Sequence, residues 1–244
     1  MAAGTDITSQ KALAVPLAQA QVECACRVHG TLAQWRLAEA ALERLAERVP
    51  GFSAEACLLK TVAVNAIYGT QLLATVRMAN HIENLLCNSH TGTIGPEMVE
   101  QIASLPALAG GKPRMSVSFG SKFCHFFINP ERFPIYDDAA REAVKLHLGA
   151  KACQTNKASP YLAFCANLDR LRDMAHLRCG TKELDQYLWL TGMFMRWLKE
   201  RSMENPRVNA ELRELFREPP AAIAMELRAM LPKGLAAQVP TPAT

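Results

Sequence analysis

The stretch Ser116–Asp138 reads SVSFGSKFCHFFINPERFPIYDD. Its first half, residues 119–127, has the apolar spacing of a short helix and holds one lysine, Lys122. Pro134 then imposes an extended turn that ends in Asp137 and Asp138. The separation 137 − 122 = 15 residues equals about three helical turns and an extended connection, so the chain can fold back and bring amine and carboxylate to one cleft. A neutral lysine supplies electrons to a sugar carbon and forms a Schiff base, while a carboxylate stabilises the positive charge that develops.

Outward from that stretch, nearly every long segment repeats its apolar residues at helical spacing and almost none alternates as a strand does. The expectation is an all-α fold of two helical lobes with a cleft between them. Helices are expected at 9–28, 31–48, 53–66, 70–87, 96–104 and 119–127, then at 137–148, 160–177, 182–203, 208–216 and 220–230. The segment 107–114, with two glycines and a proline, interrupts this pattern and is expected to mark a lobe boundary within one helical domain spanning 1–237. The cleft then separates an earlier lobe from the one carrying residues 119–148. The end of the chain, 238–244, reads QVPTPAT and is expected to be a flexible tail.

Composition fits a globular domain. At 244 residues, 50% hydrophobic and 20% charged, the chain can bury a full core. A formal net charge of +4 is compatible with a polyanionic partner without requiring one. The eight cysteines are scattered through apolar segments and read as buried thiols; Cys24 and Cys26 lack the spacing and the second pair of a zinc site, so no metal and no cofactor are expected. No run reaches 18 uninterrupted apolar residues and the N-terminus lacks a signal-peptide pattern, so a cytoplasmic protein with no membrane partner is expected.

Three local features resemble the helix-hairpin-helix DNA glycosylases. Gly120-Ser121-Lys122 resembles the glycine turn that precedes the family's catalytic lysine. Phe133-Pro134-Ile135-Tyr136-Asp137 resembles its short proline segment ending in the catalytic aspartate. Residues 58–76, LLKTVAVNAIYGTQLLATV, resemble its apolar helix broken by a polar turn. The turn at residues 116–120 is not the usual Leu-Pro-Gly-Val-Gly, the lysine-to-aspartate spacing is a few residues shorter than in the commonest members, and iron–sulfur cysteine ligands are missing. These departures direct the resemblance to the divergent archaeal-type 8-oxoguanine glycosylases.

What the resemblance implies is base excision from double-stranded DNA by a monomer that needs no cofactor. The enzyme flips a damaged or modified base, because the glycosidic carbon of a stacked base is inaccessible. Lys122 is then the amine nucleophile, with AP lyase activity through its Schiff base, and Asp137 is the catalytic carboxylate, with Asp138 as its competitor. Ser118, Gly120 and Ser121 grip a phosphate through main-chain N–H groups, Lys112 and Arg114 add long-range attraction, and Tyr68 is the wedge that fills the vacated space. Asp185 and Trp189, one turn apart in residues 183–197, wall the base pocket: the indole stacks and the carboxylate reads an N–H edge.

Plainer readings stand beside these. Asp137 also suits the N-cap of the helix that follows it, Tyr68 suits an ordinary helix-end aromatic, and Cys124 and His125 read as core. Two other readings of the whole are a non-catalytic helical DNA-binding or regulatory protein and an interaction module in which lysine and aspartate merely pair. Within the enzyme reading, repair competes with antiviral defence against modified phage bases.

Overall fold

The computed structural model describes residues 12–87, 94–107, 114–203 and 207–241. Among them the chain is mostly helical: α1 (Gln19–His29), α2 (Ala33–Arg48), α3 (Ala54–Tyr68), α4 (Thr75–Leu86), α5 (Glu97–Ala103), α6 (Val117–Phe127), α7 (Asp138–Leu148), α8 (Pro160–Met174), α9 (Thr181–Glu200), α10 (Ala210–Arg217), α11 (Ala221–Met230) and α12 (Lys233–Ala236). Two short strands, β1 (Ser104–Leu105) and β2 (Arg114–Met115), pair antiparallel as Ser104↔Met115 and Leu105↔Arg114.

Local chemistry sets the ends. Ser53 Oγ caps α3 by accepting from Ala56 N, and Asn209 Oδ1 caps α10 by accepting from Leu212 N. The expected helix at 9–28 begins only at Gln19, because residues 12–18 run as an irregular strap. Ala14 and Val15 N–H groups donate to His147 O, and Val15 O accepts from His147 Nδ1 at 2.8 Å. Likewise α4 starts at Thr75: Gly69 closes α3 in the left-handed region, Gln71 also has φ of 56°, and the Asn65 amide binds both backbone groups of Leu72.

Helices α2 to α6 pack largely among themselves, whereas α1 packs along α9 and α11, and α7 along α9 and α8. Of the boundary expected at 107–114, residues 108–113 lie outside the described residues. The strand pair closes that segment at its ends, and α5 and α6 on either side of it pack together. The change of packing partners falls after α6, so residues 119–127 belong with the earlier helices. Two glycines permit the closest crossings: a Cβ at Gly120 would lie 2.6 Å from Val99 O on α5, and one at Gly192 would collide with the Ala139 backbone on α7.

Of the tail expected at 238–244, residues 238–241 are described. Val239 is 6% exposed, and Arg228 Nη2 donates to Val239 O and Pro240 O. Residues 238–241 are therefore docked, and 242–244 lie outside the described residues. All eight cysteines are free; Cys24, Cys57, Cys124 and Cys179 are buried, but Cys87 is exposed. Among the described residues no helix is long and apolar enough to cross a membrane, and no His/Cys/Asp/Glu cluster has the make-up of a metal site.

Candidate active site

Lys122 lies in the middle of α6 and is 4% exposed. Its Nζ donates to Ser118 Oγ at 2.7 Å, one turn back on the same helix, and sits 5.4 Å from the centre of the Tyr68 ring. Burial pushes the amine below its ordinary range, opposed by the charges of Asp137, Asp185 and Asp138. Among the described residues no carboxylate comes within ion-pair distance of it.

The segment 133–137 that delivers Asp137 is fastened residue by residue. Phe133 O accepts from His125 Nδ1 at 2.9 Å, and Pro134 O accepts from the Tyr161 hydroxyl at 3.0 Å. Ile135 N donates to Asp185 Oδ2 at 2.8 Å, and Tyr136 N donates to Ser121 Oγ at 3.0 Å. Asp137 Oδ1 then accepts from Ala140 N at 2.7 Å and starts α7. The side chains come from α6, α8 and α9, so the loop between α6 and α7 is held from three sides. Such over-determination preorganises a carboxylate.

Beside this segment a recess of about 510 Å³, its open mouth included, is walled by Trp35 and Glu39 on α2, Tyr68 on α3, His125 on α6, Asp137, and Asp185 and Trp189 on α9. The walls are aromatic. Trp35 meets Trp189 edge-on at 4.7 Å between ring centres, and Tyr68 lies 5.7 Å from both Trp35 and Phe126. Lys182, Asp185, Gln186 and Trp189 all reach it because spacings of three and four put them on one face of α9. Glu131 Oε2 accepts from Thr181 N and Glu183 Oε2 from Gly180 N, which fixes the start of that helix.

Two titratable groups in the recess are driven toward neutrality. Burial raises the Asp185 carboxyl well above its usual range, only partly offset by the Ile135 N–H. Burial lowers His125 to about 4, against the pull of its bond to Phe133 O. His125 Nδ1 and Asp185 Oδ2 approach to 3.9 Å, and burial opposes the charged form of each. Asp185 Oδ1 and Trp35 Nε1 are buried with no hydrogen-bond partner among the described residues, so the recess holds unspent polar capacity.

The structure thus brings Asp137, Tyr68, Asp185 and Trp189 together around one recess, with Lys122 beside the Tyr68 ring. Other expectations fail. Gly120 is not a turn before the lysine: it lies inside α6, pressed on α5, with its N–H given to Ser116 O. Ser121 is fully buried and its hydroxyl binds Ser118 O and Tyr136 N, so neither residue presents a main-chain donor to a phosphate. The Ser118 hydroxyl accepts from Lys122, and its main-chain N–H belongs to the first turn of α6. Tyr68 is wedged between rings instead of projecting; the projecting residue of that break is Leu73, 88% exposed. Arg114 contributes its backbone to β2, and Lys112 lies outside the described residues.

Trp35, Glu39, His29 and Lys182 were not anticipated in this recess, and His125, expected as core, lines it. Trp35 and Glu39 stand four apart on α2, as Asp185 and Trp189 do on α9. That repeated aromatic–carboxylate spacing is the signal that would have found them.

The family model HI_0787_N, an N-terminal domain, matches residues 21–132, a span that contains Lys122 and stops before Asp137. An uncharacterized protein of Haemophilus influenzae is 32% identical over 137 residues, covering 52% of this chain. The aligned part spans 62% of that relative's length. No solved structure matches the chain at a significant level.

Proposed function

We propose that the protein is a DNA glycosylase that flips a damaged or modified base into the aromatic recess and excises it. What supports this reading is a desolvated lysine, Lys122, behind the Tyr68 wall of an aromatic recess that Asp137, a rigidly mounted carboxylate, also lines. In the proposed reaction the Lys122 lone pair forms a bond to C1′ as the glycosidic C–N bond breaks and its electrons leave on the base, which takes up a proton. The amine sheds its protons, the sugar ring opens to a Schiff base, and elimination from that adduct nicks the strand. Asp137 stabilises the cationic sugar and draws protons from the amine.

In this reading the two lobes are α2 to α6 and the helices packed around α9, and the base enters between them. Trp35 and Trp189 offer edges and faces to a planar ring, and the free Trp35 N–H and Asp185 Oδ1 offer it hydrogen bonds. Burial favours the protonated form of Asp185, in which it donates to an acceptor on the base; the ionised form accepts from an N–H. The wedge role passes from Tyr68 to Leu73, whose side chain is free to enter a duplex. The excised base, and with it repair or defence, is left to the test.

A panel of duplexes carrying single damaged or modified bases, incubated with the protein and then borohydride, tests the proposal. Base release with a covalent adduct at Lys122 is expected for at least one lesion; duplex binding with neither product would instead mark a non-catalytic DNA-binding protein. That second reading draws on one observation, the place of Gly120 inside α6 and against α5.

A further inference from the structure

We propose that Ser118 is the positioning residue of Lys122: its hydroxyl holds the Nζ in either protonation state and sets where the nitrogen lone pair points. The inference rests on the reading of Lys122 as the nucleophile. Its basis is the choice of partner. The Nζ is almost fully buried, yet its one short hydrogen bond among the described residues goes to a neutral hydroxyl at 2.7 Å, with Ser118 O at 3.5 Å.

A carboxylate in that place would fix the ammonium form, because it only accepts. A hydroxyl accepts from an ammonium and also donates to, or accepts from, an amine, so neither state leaves a buried orphan. The charged groups around the amine stand farther off. Asp137 and Asp138 begin α7 and Asp185 lies on α9, and all three favour its charged form. Tyr68 on α3 offers its ring face, and Glu39 on α2 opens to the same recess. Glu100 on α5 is committed to the first N–H groups of α8.

Geometry adds direction. Ser118 and Lys122 are four apart on one helix, so the bond runs back along α6 and pins the side chain to its own helix. Both of its contacts with Ser118, Oγ at 2.7 Å and O at 3.5 Å, lie back along α6, while the Tyr68 ring stands 5.4 Å from the nitrogen. Ser118 itself is held in place from behind, since its carbonyl accepts from Ser121 Oγ at 3.1 Å, and Ser121 in turn binds the Asp137 segment.

The test compares wild type with Ser118→Ala and Ser118→Thr. Two readouts are needed. The first is the pH midpoint of Lys122, followed by NMR of lysine ε-carbons and assigned with Lys122→Gln; it needs no DNA. The second is borohydride trapping on a duplex with an abasic site, at a pH above every midpoint. Ser118→Ala removes the ammonium's acceptor, so the midpoint falls, and trapping slows about tenfold although the amine is fully neutral. Ser118→Thr restores both. An alanine variant with unmoved midpoint and unchanged trapping overturns the proposal, as does a folded threonine variant that behaves like alanine. Absence of any wild-type adduct would sink the nucleophile reading instead, and the NMR midpoint would still decide what Ser118 does.

Discussion

Two lysines are buried among the described residues, and their surroundings differ. Lys60 on α3 is 2% exposed; its Nζ donates to Gly51 O at 2.6 Å and lies over the rings of Phe52 and Phe127. Lys122 on α6 is 4% exposed, with a serine hydroxyl and the Tyr68 ring. Burial pushes both amines down. Of the two, Lys122 feels carboxylates as opposing causes and lies against the ring of Tyr68, a wall of the recess, whereas Lys60 ties the chain just past α2 to the α3–α6 side. Desolvation makes an amine available, and a neighbouring cleft with a mounted carboxylate gives it something to attack. A depressed lysine alone is therefore a weak signal of chemistry.

The largest effect that separates the two is expected from Lys122→Gln. It should abolish the borohydride adduct and strand nicking while circular dichroism and duplex binding stay as in wild type; a variant that still traps would remove the distinction. Asp137→Asn comes next. It should lower single-turnover base release by about 10²–10⁴-fold, the usual weight of a positioned acid–base group, and because an asparagine still caps α7 the loss should come without unfolding.

Ser121→Ala probes the mounting. It leaves the buried Tyr136 N–H without an acceptor, at about 1–3 kcal/mol, so urea denaturation should show that loss and base release should fall in the folded protein. The smallest effect is expected from Lys60→Met, which keeps length and removes the charge. Urea midpoints at neutral pH should change by less than about 1.5 kcal/mol, with trapping untouched.

The two lysines should also appear in the pH dependence of stability. A lysine whose folded pKa lies below its unfolded value binds fewer protons folded than unfolded between those two points, so stability rises with pH across that window, toward about 10.4. Lys60→Met and Lys122→Gln should each flatten that rise, measured as urea midpoints across alkaline pH, and a slope unchanged in both would mean neither amine is desolvated on folding.

Much of the fold was legible because helical periodicity and cap residues are local properties. The extents of α2, α7 and α11 follow from amphipathic spacing and their flanking residues alone. Glycine was misread for a physical reason: before a lysine it serves equally as a turn or as a gap for a neighbouring helix, and only the presence of Val99 O 2.6 Å from the missing Cβ decides between them at Gly120. Asp137 shows the opposite case. Its two readings, helix cap and cleft carboxylate, are compatible, since Oδ1 caps α7 while the residue lines the recess. His29 could not be assigned from sequence because what brings it to Trp189 is the packing of α1 on α9, and Trp35, on α2, meets Trp189 by a ring contact between equally distant parts of the chain.

That packing has a consequence for how the molecule is made. The apolar face of α1, with Val22, Ala25 and Val28 buried, is covered by α9 and α11. The last of these ends at Met230, which is 230 − 29 = 201 residues after His29. At ribosomal speeds of about 5–20 residues per second, α1 waits roughly 10–40 s for its partners. Meanwhile α2 to α6 can assemble on their own contacts, so the chain is expected to be born with its middle folded and its first helix open. The recess, which needs His29 from α1 and Trp189 from α9, then closes only after the middle of the chain has folded.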